Sequence, residues 1–166
     1  MNNIIAVENV DQLNNVEKLA TQIWHEHYTP LIGKEQVEYM LNKFQSVAAM
    51  QEQLKQGYLY FLILNNNTPC GYLSVQPRDN NQELFLSKIY VSGDFRGKGI
   101  GKKLMQHAIS IAKSLPAQKI RLTVNKDNAG SIAAYHKMGF TTTDMVKTDI
   151  GNGFYMDDYI LELPLH

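Results

Sequence analysis

Residues 92–103 of the chain read SGDFRGKGIGKK, and this segment governs how the rest of the sequence can be interpreted. A β-rich run ends just before it, and a helical pattern of apolar residues begins at its end. Gly97, Gly99 and Gly101 allow the backbone to turn tightly and to bring bare amide groups close to a ligand. Since unpaired amides at a helix N-terminus favour a negative charge, the segment predicts a phosphate or pyrophosphate site.

The spacing of these glycines separates three nucleotide-binding motifs. A P-loop needs four residues between its first glycine and a Gly-Lys-Ser/Thr triplet, and no such spacing occurs here. A dinucleotide fingerprint, Gly-x-Gly-x-x-Gly, fails because the third glycine comes one residue early. The pattern Arg/Gln-x-x-Gly-x-Gly/Ala fits Arg96, Gly99 and Gly101 without adjustment. These six residues alone would leave a glycine-rich turn without a ligand as an alternative.

The composition restricts the kind of protein. Sixteen basic residues balance sixteen acidic residues, whereas a nucleic-acid-binding domain normally carries a basic excess. Cys70 is the single cysteine, so no intramolecular disulfide can form. No apolar stretch approaches the roughly 20 residues that cross a bilayer, and residues 1–4 lack the features of a signal peptide. We therefore expect one cytoplasmic domain over residues 1–166 that binds neither nucleic acid nor membrane.

Hydrophobic periodicity predicts an α+β fold with a mixed sheet, in the order β-α-α-β-β-β-α-β-α-β-β. Asp11 is expected to cap the first helix and Pro30 to break it. The strands between residues 58 and 91 should form an antiparallel meander, and segment 84–125 a right-handed crossover between parallel strands. The predicted strands are 3–8, 58–64, 71–75, 84–91, 120–124, 140–148 and 153–163, and the predicted helices are 11–28, 34–55 in two pieces divided near Ser46, 100–114 and 129–138.

A second motif follows the glycine loop, where residues 128–140 read NAGSIAAYHKMGF. This segment looks like the Asn-x-x-Ser/Ala-x-x-x-Tyr-x-x-x-Gly-Phe motif of the GNAT family of N-acetyltransferases. The loop at 96–101 resembles the pyrophosphate loop of the same family, and the two motifs occur in the family's order. The resemblance extends over residues 4–161. It implies the GNAT fold and an N-acetyltransferase that uses acetyl-CoA and no metal.

In the GNAT family the strand before the loop and the strand after its helix splay apart, and the pantetheine arm of the cofactor lies between them. The resemblance implies that the backbone of Ile89 and Val91 pairs with the pantetheine amides, while Tyr90 points to the opposite face. Core packing of Ile89 and Val91, simple helix capping by Asn128 and a solvated Lys137 are the alternatives. The implied cofactor-binding residues are Ile89, Tyr90, Val91, Arg96, Gly97, Lys98, Gly99, Ile100, Gly101, Lys102, Asn125, Asn128 and Lys137.

The resemblance also implies catalytic residues. Tyr135 occupies the general-acid position of the family, and a phenol of ordinary pKa about 10 is matched to protonating a thiolate of pKa about 8–9. Glu83, at the start of the central strand, is the candidate base, because related enzymes often hold a glutamate there that removes a proton through water. An exposed charge at the end of a strand is the alternative interpretation of Glu83.

The acceptor site is expected between the first helices and the last hairpin. Carboxylates there could hold a cationic amine, and aromatic side chains could line an adjoining slot. The segment 150–159 resembles the terminal hairpin of PaiA-type polyamine acetyltransferases, which implies spermidine or spermine as acceptor. A solvated hairpin, a protein N-terminal or lysine acetyltransferase and a non-catalytic CoA-binding module are the alternatives. The candidate acceptor-binding residues are Trp24, Tyr28, Asp149, Phe154, Asp157 and Asp158.

Two further features of the sequence bear on ligands and partners. His25-Glu26-His27 lacks the His-Glu-x-x-His spacing that places two metal ligands on one helix face, so we expect no metal site. Exposed strand edges of the predicted sheet would permit a homodimer, although the sequence does not define an interface.

Overall fold

The computed structural model describes residues 2–165, which form a seven-stranded sheet with helices on both faces. The order of strands and helices confirms the predicted α+β fold, and the second helical region is divided in two. Along the sheet the strand order is β1-β2-β3-β4-β5-β7-β6. The elements are β1 (Asn2–Ala6), α1 (Val10–Ile32), α2 (Lys34–Phe44), α3 (Val47–Lys55), β2 (Leu59–Asn65), β3 (Thr68–Arg78), β4 (Glu83–Val91), a 3-10 turn (Gly93–Phe95), α4 (Ile100–Ser114), β5 (Lys119–Asn125), α5 (Ala129–Lys137), β6 (Thr141–Gly151) and β7 (Phe154–Pro164).

Both ends of α1 differ from the prediction. Asn9, not Asp11, is the N-cap: its side chain accepts a hydrogen bond from the Gln12 amide at 2.9 Å, and the Gln12 side chain accepts one from the Asn9 amide. This reciprocal capping box satisfies two amides at once, which a cap at Asp11 would not do. Pro30 lies inside the helix, because it removes a single backbone donor in the last turn while the apolar stripe continues to Ile32.

The second helical region follows the prediction more closely. Ser46 begins α3, and its hydroxyl accepts a hydrogen bond from the Ala49 amide at 3.1 Å. Gly57 follows the end of α3 with a φ of +93°, a conformation that favours glycine. The predicted division near Ser46 is therefore confirmed.

One strand pair in the sheet is parallel. β1 to β4 pair antiparallel in sequence order, which confirms the predicted meander. β4 and β5 pair parallel across the α4 crossover, as predicted. The last two strands form a hairpin, and β7 inserts between β5 and β6. The order of the sheet thus places β4 and β5 at its centre, joined by the glycine-rich segment.

The pairing of β4 with β5 is short. It covers Glu83–Phe85 against Lys119–Arg121, and beyond these residues the two strands are not paired. The divergence coincides with an irregularity in β4, where Val75 is opposite Leu86 and Ser74 is opposite Lys88, so that Ser87 is an extra residue. A bulge of this kind bends a strand and reverses the facing of the residues that follow it. The sheet therefore opens in the middle.

The two faces of the sheet carry separate hydrophobic cores. The α4-side core lies under α4 and α5, and the α1-side core lies under α1, α2 and α3. Because of the bulge, Leu86, Ile89 and Val91 all contact the α4-side core, while Tyr90 contacts the α1-side core. Among the most buried members of the α4-side core are Ile63, Leu73, Leu84, Leu104, Ile120 and Leu161, and of the α1-side core Val16, Ile23, Val37, Met50, Leu62 and Tyr72.

A buried lysine fixes α2 and α3 to the sheet. Lys88 is 5% exposed, and its Nζ donates to the Tyr60 hydroxyl at 2.6 Å, to the Gln53 side chain at 3.1 Å and to the carbonyl of Phe44. Burial lowers the pKa of Lys88 to about 7. Three acceptors and no carboxylate surround the amine, so it joins the end of α2, α3 and β4 through hydrogen bonds.

Gly71 allows the backbones of β3 and β4 to approach closely. A Cβ at this position would lie 2.8 Å from the Tyr90 carbonyl oxygen and 3.0 Å from Ile63 Cγ2. We predict that Gly71→Ala lowers the free energy of unfolding by about 1 to 3 kcal/mol, because backbone must move to admit the methyl group. Urea denaturation measures the change.

The control is Gly130→Ala, which lies in α5 with no atom within 4 Å of the new Cβ. Since alanine favours a helix over glycine, this variant should be more stable by about 0.5 to 1 kcal/mol. Equal stability of the Gly71→Ala variant and the native protein would contradict the close approach of β3 and β4.

Candidate active site

A cavity of about 800 Å³ opens where β4 and β5 diverge. Its walls include Ile89, Val91 and Tyr135 from the α4-side core and Trp24 and Tyr28 from the α1-side core. The cavity therefore passes through the sheet from one face to the other. We call the part under α4 and α5 the donor half, and the part under α1 and α2 the acceptor half.

The glycine loop forms one end of the donor half. Gly97 and Gly99 have φ angles of +77° and +76°, so both positions favour glycine for conformational reasons. No side chain caps α4, and the first-turn amides from Ile100 to Lys102 have no partner within the helix. Arg96 and Lys102 add positive charge to the same wall of the cavity. These features fit the pyrophosphate that the sequence predicts.

The free edge of β4 forms the long side of the donor half. Ser92 N–H donates to the carbonyl of Cys70 at 2.8 Å, so Ser92 and Cys70 form a hydrogen-bonded pair across β3 and β4. Hydrogen-bonded and non-bonded pairs alternate in an antiparallel ladder. The backbone groups of Val91 and Ile89 must then point away from β3, toward the gap left by β5. They are available to an extended ligand lying in that gap.

Tyr135 projects from α5 into the cavity and packs on Phe140, with ring centroids 5.7 Å apart. Burial raises the pKa of Tyr135 well above its ordinary value, and the neighbouring Tyr28 adds to the rise. The phenol is therefore protonated throughout the neutral pH range. It can donate a proton to a group in the cavity.

Asn128 does not act as the predicted helix cap. It stands at the N-cap position of α5, but its side chain makes no capping hydrogen bond. Its Nδ2 donates to the Tyr28 hydroxyl at 3.3 Å, and its Oδ1 lies 3.2 Å from Nε2 of His27. Because an amide oxygen can only accept, His27 carries a hydrogen on that nitrogen. Asn128 thus connects α1 with the start of α5, and its position in the cavity wall is compatible with a second contact to the cofactor.

Aromatic side chains form one wall of the acceptor half. Trp24 stacks on Tyr28 with centroids 4.4 Å apart, and Tyr90 lies 5.7 Å from Trp24 and 6.3 Å from Tyr28. Tyr90 therefore points to the α1 side, as the resemblance implied. Apolar residues continue this wall, namely Ile23, Leu31, Ile32, Met40 and Met156.

Asp158 brings a negative charge into this wall. It lies on β7 opposite Asn125 of β5, is 5% exposed and lines the cavity. Within residues 2–165 its carboxylate makes no hydrogen bond or ion pair. Burial raises the pKa of Asp158 from 3.8 to about 6, and the charge of Asp157 adds to the rise.

Glu83 does not line this cavity. Its carboxylate approaches Arg121 at 3.3 Å and Lys119 at 3.8 Å, at the end of β4 that is paired with β5. With about 3.3 Å per residue, the strand carries it more than 20 Å from Val91. Leu86, three residues further along β4, is the first residue of this strand that lines the cavity. The role of Glu83 as the base stays a prediction.

Five other predicted residues also lie outside the cavity walls. Asp149 accepts a hydrogen bond from the Gly151 amide in the hairpin turn, and Asp157 is exposed and pairs with Lys126 at 3.1 Å. Phe154 packs on Tyr39, with ring centroids 5.4 Å apart. Lys98 lies over Phe95, and Lys137 lines a shallow depression on the outer face of α5. The remaining predicted site residues all line the cavity.

Two features of the site escaped the sequence interpretation. His27 interrupts the apolar stripe of α1 between Trp24 and Leu31, which indicates a polar residue on a buried face. The sequence prediction does not separate Asp158 from Asp149 and Asp157. Strand alternation distinguishes it, because it shares the inward face of β7 with Met156 while Asp157 faces out.

None of the helices within residues 2–165 has the length and apolarity needed to cross a bilayer. The same residues contain no group of three or more His, Cys, Asp or Glu side chains arranged to hold a metal ion.

The sequence matches a family model described as the acetyltransferase (GNAT) family over residues 18–140. A spermidine N(1)-acetyltransferase of Thermoplasma acidophilum is 26% identical over 153 residues, covering 89% of this chain and 91% of the relative. A streptothricin acetyltransferase of Streptomyces lavendulae is 41% identical over 71 residues, covering 43% of this chain and 38% of that enzyme. The chain spans 41%, 38% and 59% of the first three curated relatives that it matches.

A solved structure supports the same fold. The PaiA N-acetyltransferase of Thermoplasma acidophilum, in complex with coenzyme A, superposes with a TM-score of 0.82. The superposition covers 99% of each chain at 22% sequence identity.

The buried charge of Asp158 leads to a prediction about stability. A carboxyl pKa raised from 3.8 to about 6 means that the folded state loses stability as the pH rises from 3.8 to about 6. The loss is complete above that range and amounts to about 3 kcal/mol at 1.36 kcal/mol per pH unit. We predict that Asp158→Asn is more stable than the native protein by about 2 to 3 kcal/mol at pH 7.5. The difference should vanish below pH 4 in urea denaturation.

Asp144→Asn is the matched control, since Asp144 is exposed on β6. This variant should change the free energy of unfolding by less than about 0.5 kcal/mol. A loss of stability in Asp158→Asn at pH 7.5 would contradict an unpaired buried carboxylate.

Proposed function

This chain belongs to the acetyltransferase (GNAT) family, and we propose that it transfers an acetyl group from acetyl-CoA to a primary amine. The observation that carries the proposal is the cavity through the sheet. An anion-binding loop and a free strand edge lie at one end, and an aromatic wall with a buried carboxylate lies at the other. Such a cavity suits a donor and an acceptor that meet from opposite faces of the sheet.

The donor half fits acetyl-CoA in three respects. The first-turn amides of α4 with Arg96 and Lys102 would hold the pyrophosphate. The backbone of Ile89 and Val91 would pair with the pantetheine amides, and Asn125 and Asn128 lie along the same path. When bound there, acetyl-CoA supplies an acetyl group activated as a thioester. The coenzyme A complex of the PaiA relative supports this use of the fold.

Chain groups near the end of β4 would assist the transfer. The amide of Val91 faces the gap and would donate a hydrogen bond to the thioester carbonyl oxygen, stabilising negative charge there. Tyr135 would donate its proton to the departing sulfur as the C–S bond breaks. Burial raises the pKa of Tyr135, and the same apolar surroundings raise the pKa of the coenzyme A thiol. Because the two pKa values shift in the same direction, the phenol can still protonate the thiolate.

The acceptor half favours an amine with an apolar body. Asp158 offers one buried negative charge to an ammonium group, and Trp24 and Tyr28 offer ring faces beside it. The aliphatic segments of a polyamine would lie along Leu31, Ile32 and Met156. The name of the Thermoplasma relative, a spermidine N(1)-acetyltransferase, supports a polyamine such as spermidine or spermine.

A substrate panel tests the acceptor. The protein is supplied with acetyl-CoA and with spermidine, spermine, simple monoamines, or peptides that present a free N-terminus or lysine, and the free thiol is measured. We expect the highest kcat/KM with a polyamine. Turnover of peptides without turnover of polyamines would replace the polyamine with a protein acceptor. Coenzyme A binding without any turnover would indicate a binding module instead of an enzyme.

The role of Tyr135 has its own test. We predict that Tyr135→Phe lowers kcat by about 100-fold or more, because general acids contribute about 10²–10⁴-fold, while coenzyme A affinity changes less than twofold. Single-turnover kinetics and calorimetry measure the two quantities.

Tyr155→Phe is the matched control. Tyr155 is a half-exposed tyrosine on β7 outside the cavity walls, and its loss of a hydroxyl should leave both quantities unchanged. An unchanged chemical step in Tyr135→Phe would exclude it as the acid.

A further inference from the structure

The acceptor half contains a carboxylate whose charge is not compensated. Asp158 is 5% exposed, and within residues 2–165 it has neither an ion pair nor a hydrogen bond. Three other carboxylates on the sheet are paired: Glu83 with Lys119 and Arg121, Glu162 with Lys119, and Asp157 with Lys126. A buried charge without a partner lowers the stability of the protein unless a ligand of opposite charge pairs with it.

Among residues 2–165, no lysine or arginine side chain pairs with Asp158. His27 and Tyr28 face the cavity from α1, Tyr90 from β4 and Tyr135 from α5. Arg96 lies at the donor end, and Asp157 on β7 repels the charge of Asp158. A cationic group that enters the acceptor half would therefore find this carboxylate unpaired.

We propose that Asp158 accepts the proton that the ammonium form of the acceptor must lose before its nitrogen can attack. The proposal rests on the function proposed above and supplies the base in place of Glu83. It extends the role of Asp158 from binding a cation to taking part in the reaction.

The protons and bonds balance as follows for an acceptor R–NH3⁺. Asp158 takes one proton and becomes a neutral acid, and the amine nitrogen forms a C–N bond with the thioester carbonyl carbon. The C–S bond breaks with its electron pair on sulfur, to which Tyr135 gives its proton. Tyr135 regains a proton from the acetylated nitrogen, and Asp158 releases its proton to solvent. The products are the neutral amide, the free thiol of coenzyme A and one proton.

A low-dielectric cavity favours this proton transfer. An ammonium beside a carboxylate is two buried charges, whereas an amine beside a carboxylic acid has none. Burial already raises the pKa of Asp158 to about 6, and burial lowers the pKa of any amine that enters. The two groups therefore approach each other in proton affinity.

Two acceptors distinguish proton removal from simple binding. One is the best amine of the substrate panel. The other is the same amine with enough fluorine atoms on the carbon β to the reacting nitrogen to bring the pKa of that nitrogen below 7.5. It is then neutral at pH 7.5, and no proton has to be removed before the nitrogen attacks. Asp158→Asn should lower kcat about 100-fold or more for the ordinary amine. The loss for the fluorinated amine should be less than about tenfold.

The pH profile and binding add independent measurements. For the native protein, kcat/KM should level off above the pKa of the base. For Asp158→Asn it should keep rising to the pKa of the free amine, because only neutral amine then reacts. Calorimetry with the protein saturated with coenzyme A should show about tenfold weaker binding of the ordinary amine by the variant. Asp144→Asn, changed at an exposed carboxylate on β6, should match the native protein in every measurement.

Each contrary result has a definite meaning. A raised KM with unchanged kcat would reduce Asp158 to a binding group and overturn the proposal. Equal losses of kcat for the two amines would also overturn it, because the loss would not depend on proton removal. Absence of turnover by the native protein on every amine of the panel would instead overturn the proposed function.

Discussion

The structure depends on one constraint, the inability of β4 and β5 to remain paired beyond Phe85 and Arg121. The extra residue at Ser87 bends β4 and turns Ile89 and Val91 toward α4, with their backbone groups facing the gap. Without this break, the backbone N–H and C=O groups of β4 and β5 would hydrogen-bond to each other and the sheet would be continuous. Unpaired backbone groups at the centre of a sheet are stable only if a ligand or water satisfies them. The opening therefore lowers the stability of the fold, and it is also where the candidate site lies.

Two buried ionisable groups on the α1 side illustrate different uses of burial. Lys88 has three acceptors around its amine and joins the end of α2 and α3 to β4. Asp158 has no partner and faces the cavity. The hydrogen-bonding groups of Lys88 all have partners, and the residue supports the wall of the acceptor half. Asp158 is unsatisfied and leaves the fold less stable than an amide would at neutral pH. Functional sites commonly carry groups that the fold alone would not favour.

Local sequence patterns predicted the fold and the donor half well, because glycine loops, strand alternation and helix stripes are local properties. The loop at 96–101 could be interpreted from its spacing together with the second motif at 128–140, and Gly97 and Gly99 adopt positive φ angles. Asn128 could not, since its side chain contacts His27 and Tyr28, which lie about a hundred residues earlier in the chain. The ion pairs of Glu83 with Lys119 and Arg121 could not be predicted, since sequence does not show at which end of β4 the sheet opens. Asp158 could have been separated from Asp149 and Asp157 by the alternation along β7.

The passage through the sheet has a consequence for the order of events. In the proposed reaction, donor and acceptor would reach the reacting position from opposite faces, so neither would have to leave before the other enters. Kinetics of this kind are sequential, with both substrates bound at once, and no acyl group needs to be stored on the protein. Cys70, the thiol that could store one, is fully buried in the α4-side core. Double-reciprocal plots for the two substrates should therefore intersect and not run parallel.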